Sequence, residues 1–373
     1  MKIPLSAPDI TEAEIDAVVA VLRTSRLSLG PVTEEFESAV AGYVSLPHAV
    51  AVSSGTAGLH LCIRALGIGE GDEVIVPSFT FIAAANAIRY ERATPVFADI
   101  DPCTLNIDPK KIEEAITSRT RAILAVHTFG VPADMTAILE LAQRHGLLVI
   151  EDACEAIGAE YRGCRVGSMG NAGVFAFYPN KQITTGEGGV VVTGDEGLAR
   201  RIRALRNQGR YESDDWFQHT ELGYNYRISD INCALGLAQM ARLEEILQKR
   251  ADVASAYHRR LSVYPELALP PIAVAAGRIS WFVYVVRLHA GVPLERDELM
   301  RGLAAAGVAS GRYFAPIHLQ PSYAAWRHSA NLAVTEAVAS RTLALPFFNN
   351  IEADAIDRVC DTLGRLLLPR QAH

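Results

Sequence analysis

The chain has 373 residues, 50% of them hydrophobic and 21% charged, the balance of a globular enzyme large enough for more than one core. Lys plus Arg number 35 against 42 Asp plus Glu, a net charge of −7 with no long block of either sign, which argues against nucleic acid as the main partner. No apolar run reaches membrane-spanning length, the N-terminus has no apolar signal core and the six cysteines form no C-x-x-C pair, so we expect a cytoplasmic protein with reduced thiols, no membrane association and no bound metal.

Thr11-Glu12-Ala13-Glu14 is a capping box and predicts a helix over 13–22. From residue 48 to 195, short β-branched runs alternate with helical stretches. Residues 48–54 read as a strand and 56–66 as a helix; 73–77 is a strand, followed by a helix near 81–90 and a strand at 95–100. The series continues with strands at 121–126, 147–151, 174–177 and 189–193. Such alternation predicts an α/β fold with a mainly parallel sheet covered on both faces. Its ligand crevice belongs at the C-terminal ends of the strands.

Helices over about 195–206 and 229–251 lead out of this region. Beyond them, a strand at 281–288 and helices at 296–306 and 353–367 read as a smaller α+β unit. We therefore expect a large domain over 1–245 and a small C-terminal domain over 246–373, packed together without a flexible linker.

Three segments fall at ends of the expected strands. Ser53-Ser54-Gly55-Thr56-Ala57-Gly58 joins a strand to a helix; glycine permits a tight turn, and free backbone N–H groups with hydroxyls at a helix N-terminus favour a phosphate. Such Gly/Ser turns are common, so this one is also readable as a plain connection. Glu151-Asp152-Ala153-Cys154-Glu155 closes a strand, where Asp152 is either the cap of a following helix or a carboxylate aimed into the crevice. Lys181 stands between an apolar run at 175–177 and a glycine-rich turn at 186–189 that leads to a second apolar run. A lysine there is either a solvated surface residue or, held between buried strands, a poorly solvated amine suited to nucleophilic work. On their functional readings the three are the parts that pyridoxal 5′-phosphate (PLP) needs, an amine for its carbonyl, a carboxylate for its ring nitrogen and an anchor for its phosphate, and the spacing permits this without showing it.

Ordered matches run through the chain: Ser53-Ser54-Gly55-Thr56-Ala57, Val76-Pro77-Ser78-Phe79-Thr80-Phe81, Val126-His127-Thr128-Phe129-Gly130, Glu151-Asp152-Ala153, Asn180-Lys181 with Thr184-Thr185-Gly186-Glu187-Gly188-Gly189, Gly223-Tyr224-Asn225-Tyr226-Arg227 and Pro316-Ile317-His318-Leu319-Gln320. On these the chain resembles the DegT/DnrJ/StrS family of PLP-dependent sugar aminotransferases over essentially its whole length. The resemblance implies the fold-type I (aspartate aminotransferase-like) architecture and a homodimer with active sites shared between subunits. It implies a nucleotide-linked keto-deoxysugar as substrate and glutamate as amino donor. Lys181 matches the Schiff-base lysine and Asp152 the pyridinium partner; Gly55, Thr56 and Ala57 match the phosphate turn, and Phe81 the ring stacked on the cofactor. Asn225 matches the asparagine that reaches the phosphate from the other subunit. Glu155 stands where relatives often have Gln or His near the cofactor's 3′-oxygen. Arg312, Tyr313 and His318 lie in the segment associated with the nucleotide-sugar side of the pocket, His318 being equally readable as a packed structural histidine.

Two positions depart from the family. Many members have Ser where Ala176 stands, and that hydroxyl binds the phosphate, so weaker cofactor retention is expected. Many also place a tryptophan near Arg26, whose guanidinium is either a sugar or phosphate contact or solvent-exposed. Two other functions share the scaffold: a PLP-dependent dehydratase, in which the lysine is typically replaced by histidine, and a non-catalytic PLP-binding regulator. Lys181 disfavours the first, and the presence of both Lys181 and Asp152, with no added DNA-binding helices or basic patch, disfavours the second.

Overall fold

A computed structural model describes residues 2–274, 277–327 and 330–368. Helix α1 (Glu12–Leu22) opens on the expected capping box, with the Glu14 carboxylate accepting from the Thr11 N–H at 2.7 Å. Helix α2 (Pro31–Val44), which the sequence reading did not single out, starts with proline at a position where the missing N–H costs nothing.

The main sheet is built from β1 (His48–Val52), β2 (Glu73–Pro77), β3 (Thr94–Ala98), β4 (Thr120–Val126), β5 (Leu148–Asp152), β8 (Ala172–Ala176) and β9 (Gly189–Thr193), with the small ribbon β6 (Glu160–Tyr161) and β7 (Cys164–Arg165) set apart. Its order is β1-β9-β8-β5-β4-β2-β3. Every pairing from β8 to β3 is parallel, and β9 alone runs against its two neighbours. The period of two sorts the core residues between faces. Ile75, Ile123, Ala125 and Phe175 pack with α2 and with α6 (Met135–His145). Their alternates Val74, Val76, Leu124 and Val174 pack on the other face with α3 (Gly55–Ala65), α4 (Ala83–Tyr90) and α7 (Glu196–Arg206). Helix α5 (Pro109–Ala115) packs against α6. Each fully buried branched or aromatic side chain contributes about 1.5–3 kcal/mol, so the alternation fixes the register.

The helix expected over 229–251 is two helices, α8 (Asp230–Ala241) and α9 (Leu243–Leu261). The break falls at Arg242, whose backbone leaves the helical region while its guanidinium pairs with Glu14 and Glu245. Helix α9 adds Leu243, Ile246 and Leu247 to the first core and Val253, Tyr257 and Leu261 to another. That other core surrounds a three-stranded sheet of β10 (Leu267–Ala268), β12 (Tyr284–Leu288) and β13 (Thr342–Leu345), with α10 (Arg296–Ala305) and α12 (Ala353–Leu367); β11 (Gly277–Arg278) pairs with β6, and α11 (Ala333–Ala339) precedes β13. The strand expected from residue 281 begins only at Tyr284, because Trp281 adopts a positive φ of 53°. Among the described residues, no helix is long and apolar enough to cross a membrane, and no group of three or more His, Cys, Asp or Glu is placed to hold a metal ion.

Candidate active site

A cavity of about 520 Å³ opens where β5 and β8 end and α3 begins. Asp152, the last residue of β5, lines it at 7% exposure. The backbone holds it from both sides: the His127 N–H donates to the Asp152 carbonyl at 3.1 Å, and the Ala153 N–H donates to the Val174 carbonyl at 2.9 Å. Its carboxylate accepts the Cys154 N–H at 3.1 Å. Burial pushes this carboxyl above its ordinary range, and Cys154, Lys181 and His127 pull down without overcoming it. Among the described residues no cation lies within ion-pair distance of it.

Behind this strand end, the Glu151 side chain points to the opposite face and is fully buried. It accepts N–H groups from Gly167 at 2.7 Å and from Met169 and Gly170 at 2.6 Å, and pairs with His127 Nε2 at 3.0 Å. His127 Nδ1 accepts from the Ala133 N–H, which leaves the proton on Nε2 for Glu151. One residue of β5 thus ties down the surrounding loops while the next faces the cavity.

Lys181 sits in the connection between β8 and β9, its side chain 14% exposed. Its Nζ lies 3.5 Å from Glu155 Oε1 and 3.9 Å from the centroid of the Phe282 ring. The connection is pinned at several points. The Thr185 N–H and the Thr184 hydroxyl both donate to the Phe177 carbonyl, and Gln182 Nε2 donates to the Glu155 carbonyl at 2.6 Å and to Ser280 Oγ at 3.0 Å. Gly186 turns the chain at φ 79°. Glu155 is 5% exposed and also accepts the Phe129 N–H at 3.0 Å. Burial pushes its carboxyl up, against the pull of Lys181 and the Phe129 N–H.

The Gly/Ser turn expected to take a phosphate is the first turn of α3. Gly55 and Thr56 line the cavity together with the N-cap Ser54; Ala57 is buried behind them, its N–H donated to Ser54 Oγ at 3.1 Å. A Cβ on Gly55 would lie 2.6 Å from Ala176 Cβ and 2.9 Å from Cys154 Sγ, so only glycine lets the turn close onto the ends of β5 and β8. Phe81, at the mouth, is 60% exposed although it lines the cavity.

Arg312 and Tyr313 join the wall from the far end of the chain, Arg312 paired with Asp297 at 2.7 Å and Tyr313 Oη accepting from Asn180 Nδ2 at 3.4 Å. The structure does not bring His318 to the cavity. It is 1% exposed, with Nδ1 2.7 Å from Ser78 Oγ and Nε2 3.2 Å from Glu336. Arg26 and Asn225 are exposed and form no part of this cavity in their own chain. Sequence reasoning did not select Phe282, which has no local motif; Arg250 holds its segment by the Trp281 and Phe282 carbonyls at 2.6 and 2.7 Å. Thr80, Tyr178 and Asn180 also line the cavity; their neighbours Phe81 and Lys181 were the available signal.

The residues fit PLP by their chemistry. A buried carboxylate without a cation suits a protonated ring nitrogen, a helix N-terminus suits the phosphate, an exposed aromatic face suits the ring and a sheltered amine suits the carbonyl. Comparison with known proteins agrees. Residues 8–364 match the DegT/DnrJ/EryC1/StrS aminotransferase family. GDP-perosamine synthase of Caulobacter vibrioides is 43% identical over 375 residues, covering 98% of this chain and 99% of the relative. Among solved structures, DesV of S. venezuelae in complex with a ketimine intermediate superposes with a TM-score of 0.91 at 37% identity, over 99% of this chain and 100% of that one. The PLP form of the sugar aminotransferase Spr1654 from Streptococcus pneumoniae, described as putative, gives 0.93 at 28% identity, over 99% and 100%.

Proposed function

We propose that this chain, which belongs to the DegT/DnrJ/EryC1/StrS aminotransferase family, moves the amino group of glutamate onto the keto group of a nucleotide-linked deoxysugar. It is a PLP-dependent nucleotide-sugar aminotransferase; the donor, the residue roles, the homodimer and the cytoplasmic location are our reading. One observation carries it: the Lys181 amine shares a single cavity with the buried Asp152 carboxylate and the N-terminus of α3. PLP bound there supplies an electron-withdrawing ring and a carbonyl through which an amino group is carried.

In this reading the Lys181 amine would hold that carbonyl, and once released its Nζ would take the proton from the donor's Cα as base and give it, as acid, to the carbon that receives the amino group. Glu155 Oε1, 3.5 Å away, holds the free amine beside the reacting atoms. Asp152 keeps the proton on the ring nitrogen, Gly55 and Thr56 bind the phosphate and Phe81 orients the ring. Arg312 and Tyr313 face the sugar nucleotide, and Asn225 serves the other subunit of the dimer. His318 supports the wall through Ser78 rather than touching substrate. Because a relative is named for GDP-perosamine, GDP-linked keto-sugars head the substrate panel.

The test is spectral. PLP-loaded protein treated with glutamate should lose its visible absorbance band and regain it on addition of an accepted keto-sugar. Lys181→Ala should abolish both changes and all turnover; amination by that variant would end the assignment.

A further inference from the structure

The segment carrying Asn225 is locked into the protein more tightly than an exposed loop requires. Its backbone is zipped to the end of α7: the Tyr224 N–H donates to the Leu205 carbonyl at 2.7 Å, the Tyr226 N–H to the Arg206 carbonyl at 2.9 Å and the Gln208 N–H to the Tyr224 carbonyl at 2.8 Å. The Tyr226 carbonyl in turn accepts the Ser53 N–H at 2.8 Å, one residue before the cap of the phosphate turn. On either side of Asn225, the rings of Tyr224 and Tyr226 stack 5.1 Å apart at 10°, and both present to His60 of α3 edge-on.

His60 is 4% exposed and closes a complete hydrogen-bond chain. Its Nε2 lies 2.7 Å from Glu91 Oε1, which also accepts the Tyr224 hydroxyl at 2.8 Å, while Glu91 Oε2 accepts from Arg64 at 3.1 Å. Since the carboxylate only accepts, His60 donates from Nε2 and its Nδ1 accepts the Tyr226 hydroxyl at 3.1 Å. Burial holds His60 below its ordinary range. Glu91 is also lowered; burial opposes this, but hydrogen bonds from His60 and Tyr224 and the charge of Arg64 outweigh it. Neutral imidazole and charged carboxylate are the forms these bonds need.

We propose that His60 is a positioning residue for the aminotransferase reaction: through the Tyr224 and Tyr226 hydroxyl network it fixes Asn225 in the pose that a second subunit's cofactor site requires. This rests on the reading above that the protein is a PLP-binding dimer with Asn225 acting in trans. The same segment braces its own phosphate turn through Ser53, so it links the two sites of a dimer. His60 lies on α3 and does not line the cavity of its own chain.

The experiment measures PLP dissociation constants and glutamate turnover for His60→Ala and for the milder Tyr226→Phe, which removes only the hydroxyl reaching His60. Each should bind PLP about three- to tenfold more weakly, the effect of one neutral hydrogen bond, with the dimer intact by size-exclusion chromatography. Hybrid dimers then separate positioning from local damage. When a Lys181→Ala chain is paired with a Tyr226→Phe or His60→Ala chain, the one live site receives Asn225 from the chain with an intact network, and its PLP affinity should return to wild type. When both substitutions sit on one chain beside a wild-type chain, the live site should stay weak. The opposite pattern, or wild-type affinity in the single variants, overturns the proposal. A wild-type protein that binds no PLP or runs as a monomer overturns the underlying reading as well.

Discussion

Ala176→Ser is the perturbation whose effect follows most directly from the site. Ala176 ends β8, lines the cavity and packs against Gly55 of the phosphate turn. Contact with Gly55 on one side directs an added hydroxyl toward the open cavity, where a phosphate held by the α3 N-terminus would accept from it. A hydrogen bond to a charged acceptor contributes about 1.5–3 kcal/mol. Fixing one serine rotamer offsets a few tenths of this. The net of about 2 kcal/mol corresponds to PLP binding roughly 30-fold tighter, since about 1.4 kcal/mol is a factor of ten. Without cofactor the hydroxyl meets water in a half-buried position, so apo stability should change by less than about 0.5 kcal/mol. Titration of apoprotein with PLP, read by absorbance, gives the constant. At a fixed excess of PLP the tighter binding should also raise the melting temperature by about 2–4 °C. An unchanged or weaker constant, with apo melting intact, would show that no phosphate lies beside residue 176.

Three other outcomes are expected. Glu151→Ala removes the acceptor for three loop N–H groups and His127, and should lower stability by about 4 kcal/mol or more, read as a shift in urea midpoint; a shift below about 1 kcal/mol contradicts the geometry. Phe81→Ala should weaken PLP binding about three- to tenfold while leaving apo melting unchanged, because the ring is exposed until a ligand covers it. Burial alone would raise the Glu14 carboxyl, but hydrogen bonds from Thr11, Gln239 and Arg242 hold it down at about 2, below its ordinary 4.5. A depressed folded value stabilises above pH 4.5 and is lost as pH falls toward 2. Glu14→Gln should therefore remove about 2 kcal/mol of that pH dependence, once solvent screening is allowed for, and flatten the acid limb of the stability curve.

Much of this architecture is legible locally. Strand cores such as 73–77 carry their own alternation, and the residues at their C-terminal ends inherit a crevice from the parallel order. Lys181, Asp152 and Gly55 could be singled out because each stands at or just beyond the end of a strand, and the structure brings all three to one cavity. The helix break at Arg242 was not, since it depends on Glu14, 228 residues away. The burial of His318 was one of two readings left open, and its contact with Ser78, 240 residues away, goes with the packed one.

The sequence by itself pointed to the reaction class through ordered motifs shared with an aminotransferase family, while an amine, a carboxylate and a Gly/Ser turn along alternating strands and helices only permitted it. Only the tertiary structure decided what surrounds the amine. It set Glu155 and Phe282 beside Lys181, withdrew His318 into the wall and bound the Asn225 segment to His60 and Ser53. These pairings join residues tens to hundreds of positions apart, and no local pattern encodes them. They follow from packing that buries polar groups only where each finds its partner.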